Sequence, residues 1–326
     1  MAVLTSGGDA AGMNMAIRAV VRSAITRGWH PYGVQEGYAG LIAPLELGQI
    51  RPLEARDVGG ILGLGGTVLG SARCPEFAQP EVRRRGLANL AELGIDALVV
   101  IGGNGSQAGA NALYRDGIAV VGIASTIDND LEGTDITLGA DTAANVAADA
   151  VDKLRVTASS HRRASIIEVM GRDCGYLALT VGLACGAEAI VIPEAEMSPD
   201  EVAERIEDAY RRGKKHALVI VAEGAQRDGA ELARVLQDDQ HCRRIGFELR
   251  VTVLGHVQRG GTPTVFDRLL GARLGHAAVE RIARGEFGVL VGLRGQQIVS
   301  TPLATIVGRQ KPLNTDLIAL ARVLAR

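Results

Sequence analysis

With 326 residues, 47% of them hydrophobic, 42 glycines and only 3% aromatics, the chain can hold two cores joined by many tight turns, which excludes a fibrous or disordered protein. A formal net charge of −2 offers no broad field for nucleic acid or a membrane surface, and no apolar run reaches membrane-spanning length. Cys74, Cys174, Cys185 and Cys242 show no Cys-x-x-Cys spacing, which argues against a disulfide framework or a zinc site and for reduced thiols in a soluble, cytoplasmic protein.

In chain order, a strand over 2–4 runs into Thr5-Ser6-Gly7-Gly8-Asp9-Ala10-Ala11-Gly12-Met13-Asn14 and then a helix to about Arg27. A strand, a Gly-rich turn and a helix N-terminus present free N–H groups and a positive dipole end to an anion; the plainer reading is a tight turn that needs glycine dihedrals. Arg18 and Arg22 are four apart and share a helix face, either a solvated stripe or half of an anion site. The glycine-dense stretch 59–70 leads to Arg73, whose guanidinium can fork onto a phosphate. A buried strand over 95–101 is followed by Gly102-Gly103-Asn104-Gly105-Ser106 and a small-residue helix to about Leu113, repeating the first unit's logic.

The apolar run 118–123 stops in Thr126-Ile127-Asp128-Asn129-Asp130, the pattern of a parallel strand delivering polar side chains to its carboxyl end. Asp128 and Asp130 can converge on one atom if the chain turns; the plainer reading is an Asx-rich loop capping its own backbone.

Beyond a boundary near Gly139 the alternation continues: a helix over 141–157, a strand at 165–169, a helix from about Tyr176, and strands at 189–192, 217–222 and 251–254. Ser198, Pro199 and Glu201 mark a capped helix start. Alternating elements in both halves predict an α/β protein of two doubly wound, Rossmann-like domains with mainly parallel sheets. Charged groups gather around strand ends: Arg163, Arg172, Glu223, Arg250, His256 and Arg259. Arginines and a histidine at such positions suit a phosphorylated sugar, although singly each is an ordinary surface residue.

Taken together, Leu4-Thr5-Ser6-Gly7-Gly8-Asp9, Gly65-Gly66-Thr67 with Gly70-Ser71-Ala72-Arg73, Gly102-Gly103-x-Gly105-Ser106, Thr126-Ile127-Asp128-Asn129-Asp130, Ser159-Ser160-His161-x-Arg163, Glu168-Val169-Met170-Gly171-Arg172 and Leu254-Gly255-His256-x-Gln258-Arg259-Gly260-Gly261 resemble the bacterial ATP-dependent 6-phosphofructokinases, in that family's order and spacing across nearly the whole chain. The resemblance implies an active site in the cleft between an ATP-binding domain, 1–138 plus about 257–307, and a fructose 6-phosphate-binding domain, 139–256 plus about 308–326. It implies Asp128 as the base that takes the sugar 1-hydroxyl proton, Thr126 and Asp130 beside the reacting groups, and Arg172 on the transferring phosphoryl group. ATP would meet Gly8, Arg73, Cys74, Gly102, Gly103, Asn104, Gly105 and Ser106, and Mg2+ would meet Asn104 and Asp130. Fructose 6-phosphate would meet Thr126, Asp128, Met170, Gly171, Arg172, Glu223, His256 and Arg259, with Arg163 and Arg250 supplied by a neighbouring subunit of a homotetramer. Arg18, Arg22, Arg155, Glu188, Lys214 and Lys215 resemble the effector site, where ADP activates and phosphoenolpyruvate inhibits.

The departures are specific. Asn104 stands where the family carries a carboxylate, which removes one negative charge from a hard-cation site and is expected to weaken the metal. Ala11 replaces a proline, Cys74 an aromatic residue, and Ala55 an effector-site arginine, with Arg56 beside it. Gly105 and Ser125 favour ATP, since pyrophosphate-dependent relatives tend to carry Asp and Lys there. The alternatives are a pyrophosphate-dependent phosphofructokinase or a catalytically weak paralogue that serves as a regulatory subunit.

Overall fold

Residues 1–238 and 247–325 are described by a computed structural model of the chain; Cys242 lies outside them, as do 239–246 and 326 of the expected domain ranges. The elements in chain order are β1 (Ala2–Ser6), α1 (Met13–Thr26), β2 (Tyr32–Val34), α2 (Tyr38–Ile42), β3 (Ile50–Pro52), α3 (Pro80–Glu92), β4 (Ala97–Gly102), α4 (Asn104–Arg115), β5 (Ala119–Ala124), α5 (Ala140–His161), β6 (Arg163–Val169), α6 (Tyr176–Cys185), β7 (Ala189–Val191), α7 (Pro199–Arg211), β8 (Ala217–Ala222), α8 (Gly229–Leu236), β9 (Glu248–Val253), α9 (Val265–Ala283), β10 (Val289–Arg294), β11 (Gln297–Pro302), α10 (Leu303–Ile306) and α11 (Thr315–Leu324). They form two compact units, Met1–Thr142 with Arg259–Lys311, and Ala143–Gln258 with Pro312–Arg326.

The first unit holds a seven-stranded sheet of order β11-β10-β5-β4-β1-β2-β3, parallel except for its two edge strands. β1 and β4 are buried along their whole length, so both sheet faces need a helical cover, and an uninterrupted apolar run is the pattern that results. Leu4, Leu41, Leu98, Leu113, Leu131 and Leu290 pack in its core. From β1 the chain crosses to β2 on one side, and from β4 to β5 on the other, so the winding reverses between β1 and β4. Ser6, Gly102 and Ala124 sit in register at the carboxyl ends of β1, β4 and β5. Open α/β sheets bind ligands at such a reversal.

The second unit holds four strands, all parallel, in the order β7-β8-β6-β9. Ile166, Val202, Ile206, Val219, Leu236 and Phe247 fill its core. The capping box that opens α7 is complete: Glu201 N–H donates to Ser198 Oγ at 3.2 Å and Ser198 N–H to Glu201 Oε2 at 2.8 Å. The last strand begins earlier than its sequence pattern indicates. β9 starts at Glu248, paired with Arg163 of β6, so Arg250 lies inside a strand instead of ahead of one. Among the described residues no helix is long and apolar enough to cross a membrane.

Candidate active site

Two helix N-termini face the reversal point. The residues preceding α1 and α4, Gly12 and Gly103, have no side chain to cap them, so apart from Met13 N–H, which donates to Ala10 O at 3.3 Å, the N–H groups of the two first turns can serve an anion. A Cβ on Gly102 would lie 2.4 Å from Ser6 O and 2.5 Å from Ser106 Oγ, so the turns after β1 and β4 touch only because residue 102 has no side chain. Gly8 is covered by Arg259, whose Nη1 donates to Asp9 O at 2.7 Å. Arg259 therefore belongs to the first unit, on the β1 turn.

The loop carrying Arg73 is tied back to β1. Thr5 Oγ1 donates to Gly70 O at 2.8 Å and Ser71 Oγ to Gly7 O at 2.6 Å, while Asn14 Nδ2 donates to Leu64 O at 3.1 Å. Arg73 itself is exposed, with no partner among the described residues. Next to it, Cys74, Gly105 and Gly109 line a cavity of about 410 Å3 whose wall is the stacked pair Tyr38 and Phe77, ring centroids 4.0 Å apart. A flat aromatic wall beside backbone donors suits a planar base. Burial, with Glu76 beside it, pushes the Cys74 thiol up, so it stays neutral. Nothing lies within 4 Å of where a Gly105 side chain would point.

After β5 the chain turns sharply. Asp128 is 8% exposed and Asn129 takes a left-handed conformation, φ 50°, so the flanking carboxylates do not follow a strand's alternation. Asn129 Oδ1 accepts from Thr137 N–H at 3.0 Å and from Lys311 Nζ at 2.7 Å, and Thr137 Oγ1 donates to Thr126 O at 2.6 Å. Thr126 Oγ1 accepts from Asp128 N–H at 3.2 Å. From α4, Asn104 Nδ2 donates to Asp130 Oδ2 at 2.8 Å. Gly103 backs directly onto Thr126, so the two loops form one surface.

Among the described residues no three of His, Cys, Asp and Glu gather as a metal cluster. Magnesium does not require one, because it keeps several waters and takes one or two protein oxygens plus phosphates. Asp130, together with the Asn104 Oδ1 that remains once Nδ2 faces Asp130, fits that demand with a single negative charge.

In the second unit Met170 and Gly171 are buried and lead to Arg172, again left-handed at φ 50°. Glu223 holds this turn, its Oε1 accepting from Arg172 N–H at 2.7 Å and Gly171 N–H at 3.3 Å. A Cβ on Gly224 would fall 1.8 Å from Arg172 O, so the strained arginine needs glycine beneath it. Its exposed guanidinium has no partner among the described residues. Arg163 and Arg250 share one carboxylate: Glu248 Oε2 accepts from Arg163 Nε at 2.9 Å and Oε1 pairs with Arg250. The Arg163 bond, and then the nearby charges, holds the Glu248 carboxyl below its usual range. His256 is exposed on the short turn Gly255–Gln258.

The expected effector residues fall in both units. Arg18 Nη1 donates to Val58 O at 2.6 Å and Gly59 O at 3.1 Å, and Arg22 is exposed on the same helix. Arg155 donates to Cys185 O at 2.6 Å and pairs with Asp152 at 3.1 Å. Glu188, 2% exposed, binds Lys214 Nζ at 2.5 Å and Leu218 N–H at 2.6 Å, with Lys215 exposed. Arg56 pairs with Glu54 at 2.9 Å. Sequence reasoning did not single out Asn14, Glu248, Lys311 or His216, nor the buried Asp267, which accepts from Gly139 and Thr142 N–H at 2.8 Å each and so caps α5.

The phosphofructokinase family model matches residues 1–282. An ATP-dependent 6-phosphofructokinase of Halalkalibacterium halodurans is 49% identical over 323 residues, covering 99% of this chain and 98% of that protein. One of Listeria welshimeri is 50% identical over 327 residues, covering 100% and 99%. Among solved structures, Pichia pastoris phosphofructokinase in the T-state superposes with a TM-score of 0.88 at 36% identity, over 99% of this chain, which spans 36% of that one. A pyrophosphate-dependent phosphofructokinase from Marinobacter aquaeolei, 22% identical with a TM-score of 0.83, shares the fold. The glycine turns after β1 and β4, the Asp128 loop and this full-length similarity have one origin: the chain belongs to the phosphofructokinase family.

Proposed function

We propose that the chain is an ATP-dependent 6-phosphofructokinase, transferring the γ-phosphoryl group of ATP to the 1-hydroxyl of fructose 6-phosphate and yielding fructose 1,6-bisphosphate and ADP. The observation that carries this reading is the 126–130 loop, with half-buried Thr126 and Asp130 around a nearly buried Asp128, set beside two helix N-termini that no side chain caps. Identity of about half, over full length, with proteins named for that activity selects ATP over pyrophosphate.

The 1-hydroxyl oxygen attacks the γ-phosphorus as the bond to the β,γ-bridging oxygen breaks, and Asp128 accepts the hydroxyl proton. The Arg172 guanidinium, which has no partner among the described residues, offsets charge on the transferring group, while N–H groups in the first turns of α1 and α4, with Arg73, hold the remaining phosphates. Asp130 and Asn104 would hold a Mg2+ ion, which would supply positive charge to the nucleotide phosphates. Gly8, Gly102, Gly103, Gly105 and Ser106 line the nucleotide turns, and Cys74 borders the base cavity. Met170, Gly171, Glu223, His256 and Arg259 serve the sugar phosphate, with Arg163 and Arg250 of a neighbouring subunit in a homotetramer. Arg18, Arg22, Arg155, Glu188, Lys214 and Lys215 receive ADP or phosphoenolpyruvate. The first unit is thus the nucleotide domain and the second the sugar-phosphate domain of a cytoplasmic enzyme.

The test is steady-state formation of fructose 1,6-bisphosphate with ATP or pyrophosphate as donor, across a magnesium titration. Turnover with ATP alone supports the proposal. Turnover with pyrophosphate alone, or with neither donor at any magnesium concentration, overturns it.

A further inference from the structure

Lys311, the last residue of the first unit, grips the 126–130 loop and the turn after it with four hydrogen bonds. Its backbone N–H donates to Asp130 O at 2.9 Å. Its ammonium donates to Asn129 Oδ1 at 2.7 Å, Asp135 O at 2.9 Å and Thr134 O at 3.2 Å. An ammonium has three donors, and all three are met here by acceptors of one loop. The preceding residue, Gln310, bridges Leu131 in antiparallel fashion, so the clasp extends along the backbone.

The residue it grips is the one that sets the loop's direction. Asn129 is 4% exposed, left-handed, and stands between Asp128 and Asp130, so its φ and ψ decide where both carboxylates point. A left-handed non-glycine residue persists only when its surroundings over-determine it. Asn129 Oδ1 is fixed from two sides, by Thr137 N–H at 3.0 Å and by Lys311.

We infer that Lys311 is a positioning residue for phosphoryl transfer, holding Asn129 and thereby aiming Asp128 and Asp130; this rests on the function proposed above. A mere staple would lower thermal stability when removed and leave turnover per folded molecule unchanged.

The experiment uses the full chain with Lys311→Met, Asn129→Gly and the double variant. Glycine tolerates the positive φ but removes the clasp's acceptor. Lys311→Met is expected to lower kcat roughly 10- to 100-fold, with KM for both substrates within about threefold, because a displaced base impairs the chemical step more than binding. Asn129→Gly should do the same, and the double variant should lose no more than the worse single, since both loosen the same loop through a shared bond. Lys311→Arg should recover part of the loss. A kcat within about twofold of the unmodified chain for Lys311→Met, or a double loss equal to the product of the singles, overturns the inference. If Lys311→Met does not fold, Asn129→Gly decides alone by the same twofold criterion. Amide hydrogen exchange over 126–138 should rise in Lys311→Met, and unchanged protection there also overturns the inference. That readout needs no turnover, so a chain inactive with every donor refutes the proposed function while leaving the clasp separately testable.

Discussion

Asn104 Nδ2 donates to Asp130 Oδ2 across 2.8 Å, so the amide at the start of α4 is bonded to a carboxylate of the 126–130 loop. With Asp at both positions and no cation, two like charges would face each other at that distance. Asn104→Asp is therefore expected to lower Tm in a chelator by roughly 2 to 4 °C, corresponding to about 1 kcal/mol. It should also reduce the magnesium concentration needed for half-maximal turnover. Melting with and without Mg2+, beside an activity titration, checks both. An unchanged magnesium requirement would exclude residue 104 from the metal's surroundings.

Asp128→Ser removes the proposed base while keeping a small polar side chain in its nearly buried place. The expected result is a kcat loss of about 100-fold or more, with fructose 6-phosphate affinity within a few-fold by calorimetry. Parallel loss of binding would assign Asp128 a structural role instead.

Gly224→Ala would drive a methyl group against Arg172 O. The arginine then has to leave its left-handed conformation, or β8 has to yield. Turnover should fall about as far as in Arg172→Ala, because both displace the same guanidinium. Glu223→Gln should be milder, since an amide oxygen still accepts from the Arg172 N–H. Steady-state kinetics of the three variants decides this.

Glu248 competes with any phosphate for Arg163 and Arg250. In Glu248→Gln the competitor is neutral, so the KM for fructose 6-phosphate should fall several-fold, most clearly at low ionic strength where partly exposed charges are least screened. A raised KM would mean that Glu248 positions the arginines more than it occupies them.

His216 lies against Ser159 Oγ at 2.7 Å, and burial lowers its pKa, with Arg155 and Lys214 adding to the effect and Glu188 opposing it. The folded chain therefore prefers the neutral ring. Above the unfolded value of about 6.5 this group adds no pH dependence; as pH falls through that value toward the lowered folded one, the unfolded chain gains protons first and stability declines. Urea midpoints at pH 8 and pH 5.5 should converge in His216→Asn relative to the unmodified chain.

β4 and β8 were legible because strands covered on both faces leave continuous apolar runs, and α7 because its cap is a local pattern. The start of β9 was not. It is an edge strand with Val251 37% and Val253 57% exposed, so no uniform run marks it, and its register is set by β6. Of the candidate site, the glycine turns and the Asp128 loop were legible as local structure because glycine, Asp and Asn cluster within a few residues. The groups that hold them were not, since Asp267 reaches Thr142 across 125 positions and Lys311 reaches Asn129 across 182. A buried partner at that separation leaves no periodic trace.

The divided first unit also imposes an order of synthesis. β5 gains its second neighbour only when β10 is made, well after the second unit's last strand, and the clasp closes only at Lys311. During translation the strand that carries Asp128 thus waits with an open edge, which is the exposure that favours mispairing and chaperone capture. The part of the chain assigned the chemistry is among the last to become ordered, so a nascent chain cut short before residue 311 would have its glycine turns but an unclasped Asp128 loop.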